Sequence, residues 1–445
     1  MKKFLKITVL IIVLALIYVV YVNYPKLNII SGYAAKNMNS SVFLASRGQE
    51  ITTTQDNNFT PINQATVVVD KKEKSIVASA FGLLKRKAIY REGLGAVLLT
   101  KNYDENTPYL IPKRIKTAKN LPYPYGDNLQ KDTLFTNVDY KALQAFVDKA
   151  FTNNAIKKTR SVLVIYKDQI LAEKYAEGFD KNSLLQGWSM TKSITATIYG
   201  ILKKQGKLSI NDKAPIDSWK DDERADITIN DLLHMNSGLE WAEDYEGISD
   251  VTKMLFLAEN MAKVQEEKQL VGKPNESWNY SSGTSNLLSG LLRKKFNSHQ
   301  DYLDFWYSAL IDKIGMHSMI IEADLAGNYV GSSYSWATTR DWAKFGLLYL
   351  HKGNWSGEQL FDESWVDYVK TPTATSDGQY GGHFWLNAGG KYPDAPKDIF
   401  SANGFQGQRI FIIPSKDLVI VRTGLVGSGG FDFNLFLKEI VNSVE

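Results

Sequence analysis

The chain has no cysteine among its 445 residues, so it has no disulfide, no thiolate nucleophile and no cysteine-ligated metal. Histidine is scarce, and residues 234, 299, 317, 351 and 383 show no metal-ligand spacing, which argues against a zinc site. Charge of one sign is also lacking: 52 basic side chains face 48 acidic ones, and no basic patch or nucleic-acid module stands out. Gly381-Gly382 and Gly427-Ser428-Gly429-Gly430 lack both the Lys-Ser/Thr of a phosphate loop and a dinucleotide fingerprint, so they read as turns. The acidic runs Asp221-Asp222-Glu223 and Glu266-Glu267 fix no carboxylate separation and read as solvated faces. Gly187-x-Ser189 lacks the second glycine of a nucleophile elbow, which weakens an α/β-hydrolase reading. No internal repeat or low-complexity tract occurs, and nothing calls for a cofactor.

Long apolar runs are nearly absent too, with one exception. Ile7 to Val22 is apolar or neutral throughout, follows Lys2, Lys3 and Lys6, and leads to Tyr18, Tyr21 and Tyr24. This is a positive-inside start with an aromatic interface, a single-pass anchor over residues 1–24 that leaves the remaining chain outside the cytoplasm. A cleaved signal peptide, and hence secretion, is the competing reading, because Ser31-Gly32-Tyr33-Ala34-Ala35 supplies small residues near a possible cut.

Residues 25–135 hold short β-prone runs, Thr66 to Val69, Ser75 to Ala80, Ala88 to Tyr90 and Ala96 to Leu99, and end in the linker-like Pro122-Tyr123-Pro124-Tyr125-Gly126-Asp127. They carry no chemical motif, and a packing or substrate-access role is the default. From 136 to 445 the pattern changes. Leu143, Phe146, Val147 and Phe151 recur at helical spacing, a strand pair follows around Lys167-Asp168, and Arg409 to Ile413 and Leu418 to Thr423 form a hairpin across Pro414-Ser415-Lys416-Asp417. Between them lies a long helical stretch. The expected fold is α+β, a three-layer antiparallel sheet flanked by helices with an all-helical insertion, preceded by the β-rich extension and the membrane helix.

The chemistry gathers on three segments. Ser189-Met190-Thr191-Lys192 is the only Ser-x-x-Lys in the chain, and Ile194, Ile198, Ile201 and Leu202 continue it at helical spacing up to Gly206. Positions i and i+3 of a helix lie about 5–6 Å apart at Cβ, so the amine reaches the hydroxyl. The helix N-terminus and burial both lower a lysine pKa, which suits Lys192 to act as base for Ser189. A surface serine and lysine on an ordinary amphipathic helix would satisfy the same spacing. Tyr280, in Trp278-Asn279-Tyr280-Ser281-Ser282-Gly283 before another apolar helix, suits a proton shuttle if Lys192 lowers its pKa. The third segment, Ser401-Ala402-Asn403-Gly404-Phe405-Gln406-Gly407-Gln408, places glycines before a strand, where another backbone or a ligand can come close.

Together these segments resemble the serine β-lactamase and penicillin-binding-protein superfamily, in its class C-like branch, and are most similar to the 6-aminohexanoate oligomer hydrolase and esterase group. The resemblance covers about residues 136–445 and is supported by Leu232 to Leu239 and Ser335 to Gly353. It implies that Ser189 attacks an ester or amide carbonyl of a small substrate, that Lys192 and Tyr280 accept its proton, and that an acyl-enzyme forms and is hydrolysed. It further implies an oxyanion hole from the backbone N–H groups of Ser189 and Phe405, with Ser282, Gly404 and Tyr245 contacting substrate and Tyr245 donating to an amide nitrogen. His234 is expected to pack in the core.

Two departures bear on substrate. Ser282 stands where the family commonly has Asn, and Ala402-Asn403-Gly404 stands where β-lactamases carry Lys or His before Thr-Gly. Losing that cation costs about 1.5–3 kcal/mol of carboxylate binding, which argues against efficient β-lactam turnover. A D,D-peptidase or weak β-lactamase, and a non-catalytic envelope binding protein, remain as alternatives. The oligomeric state is not legible.

Overall fold

The computed structural model describes residues 2–101, 103–116, 120–126, 128–130 and 133–444. Met1, Asp127 and Glu445, the ends of three expected segments, lie outside the described residues. The chain forms two compact units, one from residues 1–91, 95–107 and 244–259, the other from 92–94, 108–243 and 260–445.

The first unit is built on one long helix and one sheet. Helix α1 (Lys2–Asn39) continues well past residue 24. Its apolar side chains from Phe4 to Val22 are exposed, and it is long and apolar enough to cross a membrane, a test that a signal sequence also passes. From Ile29 onward the helix changes character: Ile29, Ile30, Tyr33, Ala34, Ala35 and Met38 are buried. They pack on a four-stranded antiparallel meander, β1 (Ala65–Asp70), β2 (Ser75–Ala80), β3 (Leu84–Arg91) and β4 (Gly95–Leu98). The four strands sit where the short β-prone runs place them. Tyr33 packs edge-on against Phe59 and tilted against Phe256, while the Asn39 amide donates to the carbonyls of Lys74 and Ala88, joining the helix to two strands.

The second unit is organised around six antiparallel strands: β5 (Thr159–Tyr166), β6 (Gln169–Tyr175), β7 (Trp385–Leu386), β8 (Phe400–Gly404), β9 (Gln408–Ile413) and β10 (Leu418–Gly424), in the order β7-β8-β9-β10-β5-β6. Lys167 and Asp168 both have positive φ, the two-residue turn that matches the twist of a hairpin. Alternation sorts the strand side chains into two cores. Leu163, Ile165, Ile410, Ile412, Val419 and Val421 face the main core, and Val162, Val164, Phe411, Ile413, Leu418 and Ile420 face a second one with the terminal helix Phe433–Asn442. A sheet with helices on both faces is thereby required, because each face is apolar.

Two expectations change. The insertion between β6 and β7 is not wholly helical: Leu185–Gln186, Ile320–Ile321 and Ser335–Ala337 form a three-stranded ladder that fixes the segment entering the Ser189 helix. Strands this short carry too little periodicity to be seen in a sequence. Nor is the segment beginning at Pro122 a free linker. Tyr123 is buried and donates to the carbonyl of Arg340, and the Tyr125 hydroxyl donates to Asp168, so its aromatic side chains dock it on the second unit.

Tyr33→Ala should lower the unfolding free energy of the first unit by about 3–5 kcal/mol in a denaturant titration, the cost of an aromatic cavity. A loss under about 1 kcal/mol would show that the buried end of α1 is not part of that core.

Candidate active site

Helix α2 (Met190–Lys204) is buried on all sides from Met190 to Leu202, a core helix rather than an amphipathic surface one. That removes the surface reading of Ser189 and Lys192. Ser189 is its N-cap, so its N–H has no acceptor within the helix. The preceding Trp188 has φ 48°, a strained value for a large side chain, held by packing of its ring against Phe405 at 5.5 Å between centroids. Gly187 is required one residue earlier, because a Cβ there would lie 2.4 Å from the Trp342 ring.

Lys192 is 1 % exposed and has three oxygens around its Nζ: Ser189 Oγ at 3.0 Å, Ser282 Oγ at 2.9 Å and the carbonyl of Ser332 at 3.0 Å. Burial lowers its pKa to about 8 and the charge of Glu243 opposes that shift. Burial, rather than the helix end, is therefore what prepares the amine.

Tyr280 lies just before helix α3 (Ser282–Arg293), with Lys192 Nζ 5.0 Å from its ring centroid. The Ser189 hydroxyl and the Lys192 amine thus meet, with the Tyr280 ring beside the amine. The expected electrostatics do not hold: Tyr280 is pushed well up, first by burial and then by the Glu243 charge, while hydrogen bonds with Ser189 and Trp385 and the charge of Arg409 act more weakly the other way. It is held as a neutral phenol, because a nearby carboxylate and low polarity outweigh the cations.

The other expected residues fall as follows. Gly404 ends β8, and a Cβ on it would sit 2.1 Å from the carbonyl of Gly187, so glycine is needed for the strand end to reach the Ser189 segment. Phe405 follows in a short turn, beside Trp188. Ser282 is wholly buried, with its hydroxyl between Lys192 and Glu243, which leaves it facing the interior instead of a substrate. Tyr245 lies half-buried in a bend of the 244–259 segment, which folds with the first unit. His234 is buried, bonded to the Thr373 hydroxyl and pushed down to about 4 by burial, as suits a packed core residue. Among the described residues no three His, Asp or Glu side chains gather to hold a metal ion.

Glu243, Trp385, Arg409 and Lys391 were not singled out from the sequence. Glu243 accepts from the Ser282 hydroxyl at 2.5 Å, the Ser282 backbone N–H at 2.8 Å and the Trp241 indole at 2.5 Å. Arg409 stands opposite Asn403 across the β8–β9 pair and Lys391 lies over the Trp385 ring at 5.2 Å. Positive charge absent from the Ala402-Asn403-Gly404 motif thereby returns from neighbouring positions. Only pairing across strands reveals that, since no motif spacing links these residues.

The beta-lactamase family model matches residues 152–423, a span that contains Ser189, Lys192 and Tyr280. A search of curated protein sequences gives no match. Among solved structures, a Bacillus anthracis protein assigned as a 6-aminohexanoate-dimer hydrolase superposes with TM-score 0.55 at 20 % identity, covering 66 % of this chain and 79 % of its own. EstCE1, a hydrolase with promiscuous acyltransferase activity, gives TM-score 0.55 at 12 % identity, covering 68 % and 97 %. A family VIII carboxylesterase gives 0.55 at 13 %, covering 68 % and 96 %. At these identities the likeness is one of fold, and the fold agrees with the family match over more than half of the chain: the protein belongs to the beta-lactamase family, with the fold of its serine hydrolases.

Proposed function

We propose that the protein is a serine hydrolase that cleaves an ester or amide bond of a small substrate through an acyl-enzyme on Ser189. The observation that carries this is the buried amine of Lys192 within 3.0 Å of the Ser189 hydroxyl, at a pKa near 8, where an appreciable fraction is unprotonated at neutral pH. Lys192 takes the Ser189 proton as the oxygen attacks the carbonyl carbon. Tyr280, a neutral phenol, donates its proton to the leaving nitrogen or oxygen and regains one from the Lys192 ammonium. Water then attacks the acyl-enzyme, its proton passes to the Tyr280–Lys192 pair, and Ser189 recovers its own as the acid leaves. The N–H groups of Ser189 and Phe405 hold the oxyanion, with Gly404 allowing their approach.

A second reading, a D,D-peptidase or weak β-lactamase, draws support from two observations: Arg409 acts electrostatically on Tyr280, and Lys391 lies over Trp385, cations suited to an anionic acyl donor. The Arg409 Nη1 is already committed to the carbonyls of Gly404 and Gln408, at 2.9 and 2.7 Å, which favours the ester or amide reading.

The N-terminal helix serves as an uncleaved anchor that places the enzyme on the outer side of the cell membrane. Its support is burial: Ser31, Tyr33, Ala34 and Ala35 are packed against the first unit, and a cut among them would remove part of a core.

Wild-type protein should label with a fluorophosphonate probe and hydrolyse short-chain nitrophenyl esters, and Ser189→Ala should abolish both; retained labelling would break the assignment. Nitrocefin turnover should be about ten- to a hundredfold slower than ester cleavage, and the reverse ranking would favour the second reading. Because Lys192 must be unprotonated, kcat/KM should rise with pH along a limb centred near pH 8, and Lys192→Met should cost about 10²–10⁴ in kcat. A limb below pH 6 would point to another base. In its native host the protein should resist carbonate extraction from membranes and keep its original N-terminal segment by mass spectrometry; a new N-terminus between residues 31 and 36 would establish cleavage.

A further inference from the structure

We propose that Glu243 is a positioning residue that, acting through Ser282, aims the lone pair of Lys192 at the Ser189 hydroxyl. The inference rests on the serine hydrolase reading above and follows from counting protons around one nitrogen.

As an ammonium, Lys192 has three N–H groups for its three oxygen neighbours, Ser189 Oγ, Ser282 Oγ and the Ser332 carbonyl. As the neutral amine that a base must be, it has two N–H groups and one lone pair. The Ser332 carbonyl only accepts, so it takes one N–H. Ser282 has a single proton, and its Oγ lies 2.5 Å from Glu243 Oε1. A carboxylate at neutral pH is acceptor-only, so the Ser282 proton points to Glu243 and its lone pairs are left for the second N–H of Lys192. The lone pair of the amine has one direction remaining, toward Ser189, whose O–H donates to it. Replace the carboxylate with a group that can also donate, and Ser282 is free to turn its proton onto Lys192 and occupy that lone pair.

The carboxylate is itself held. Its Oε2 accepts from the Ser282 N–H at 2.8 Å and the Trp241 indole N–H at 2.5 Å. Gly283 makes room for that indole, since a Cβ there would fall 2.5 Å from Trp241 Cζ3 and 2.2 Å from Gln265 Oε1. The other titratable groups facing Lys192 do not supply this orientation. Tyr280 is a neutral phenol presenting its ring, and His383 is kept neutral by burial, with a pKa of about 3, and is committed to the Leu233 carbonyl and the Ser285 hydroxyl.

The test uses the full chain as wild type, Glu243→Gln, Ser282→Ala and the double variant, with 4-nitrophenyl butyrate as substrate and fluorophosphonate labelling as a count of competent Ser189. Glu243→Gln should lower kcat about ten- to a hundredfold with KM within threefold, part of what a general base contributes. It should also move the acid limb of the pH profile to lower pH, since the charge favouring the ammonium is gone. Ser282→Ala should lower kcat to a similar extent, and the double variant should be no slower than the slower single, because the two act in one chain. Additive losses, or an unchanged kcat and pH profile in Glu243→Gln, would overturn the proposal; if that variant does not fold, a Ser282→Ala kcat within twofold of wild type would do the same. A wild type that neither labels nor turns over would sink the serine hydrolase reading and this one together, whereas a labelled wild type with an unaffected Glu243→Gln sinks this one alone.

Discussion

An amine kept almost free of water is the constraint on which the second unit's site is built. Lys192 gives up solvation and is compensated by three oxygens at 2.9–3.0 Å, none of them a carboxylate. Had Glu243 contacted it directly, a buried ion pair would have fixed the ammonium form. One serine hydroxyl is interposed instead, so the negative charge shapes the hydrogen bonds while the amine remains able to lose its proton. The surrounding core enforces this: a helix buried on all sides, a strained Trp188 before Ser189, and glycines at 187 and 404 where backbone and ring leave no space for a side chain.

The same low polarity divides the labour between the two proton carriers. Burial favours the uncharged form of each, which pulls a lysine down and pushes a tyrosine up. In the mechanism proposed above, Lys192 is accordingly the base and Tyr280 the donor. Arg409 and Trp385 moderate the phenol without turning it into a phenolate.

Much of the framework is legible in residue order. Helical spacing from Ile194 to Leu202, alternation in the β9–β10 hairpin and the β-prone runs before residue 100 correspond to elements in place, because each depends on local periodicity and an apolar face. The short ladder through Ser335–Ala337 and the docking of Tyr123 and Tyr125 escape such reading, as both are made by partners distant in sequence. Glu243 escapes for the same reason. It sits in a loop with no chemical motif of its own, and only the approach of Ser282 and Trp241 gives it a role.

Residue order alone settled the chemical inventory: a serine and lysine one helical turn apart, a tyrosine before a second helix, a glycine-flanked strand, and no cysteine. Those depend on side-chain identity and local spacing, which a linear chain carries in full. Protonation states, hydrogen-bond directions and the return of positive charge through Arg409 and Lys391 were decided by tertiary structure. Burial and the proximity of distant residues set them, and neither quantity exists until the chain has folded.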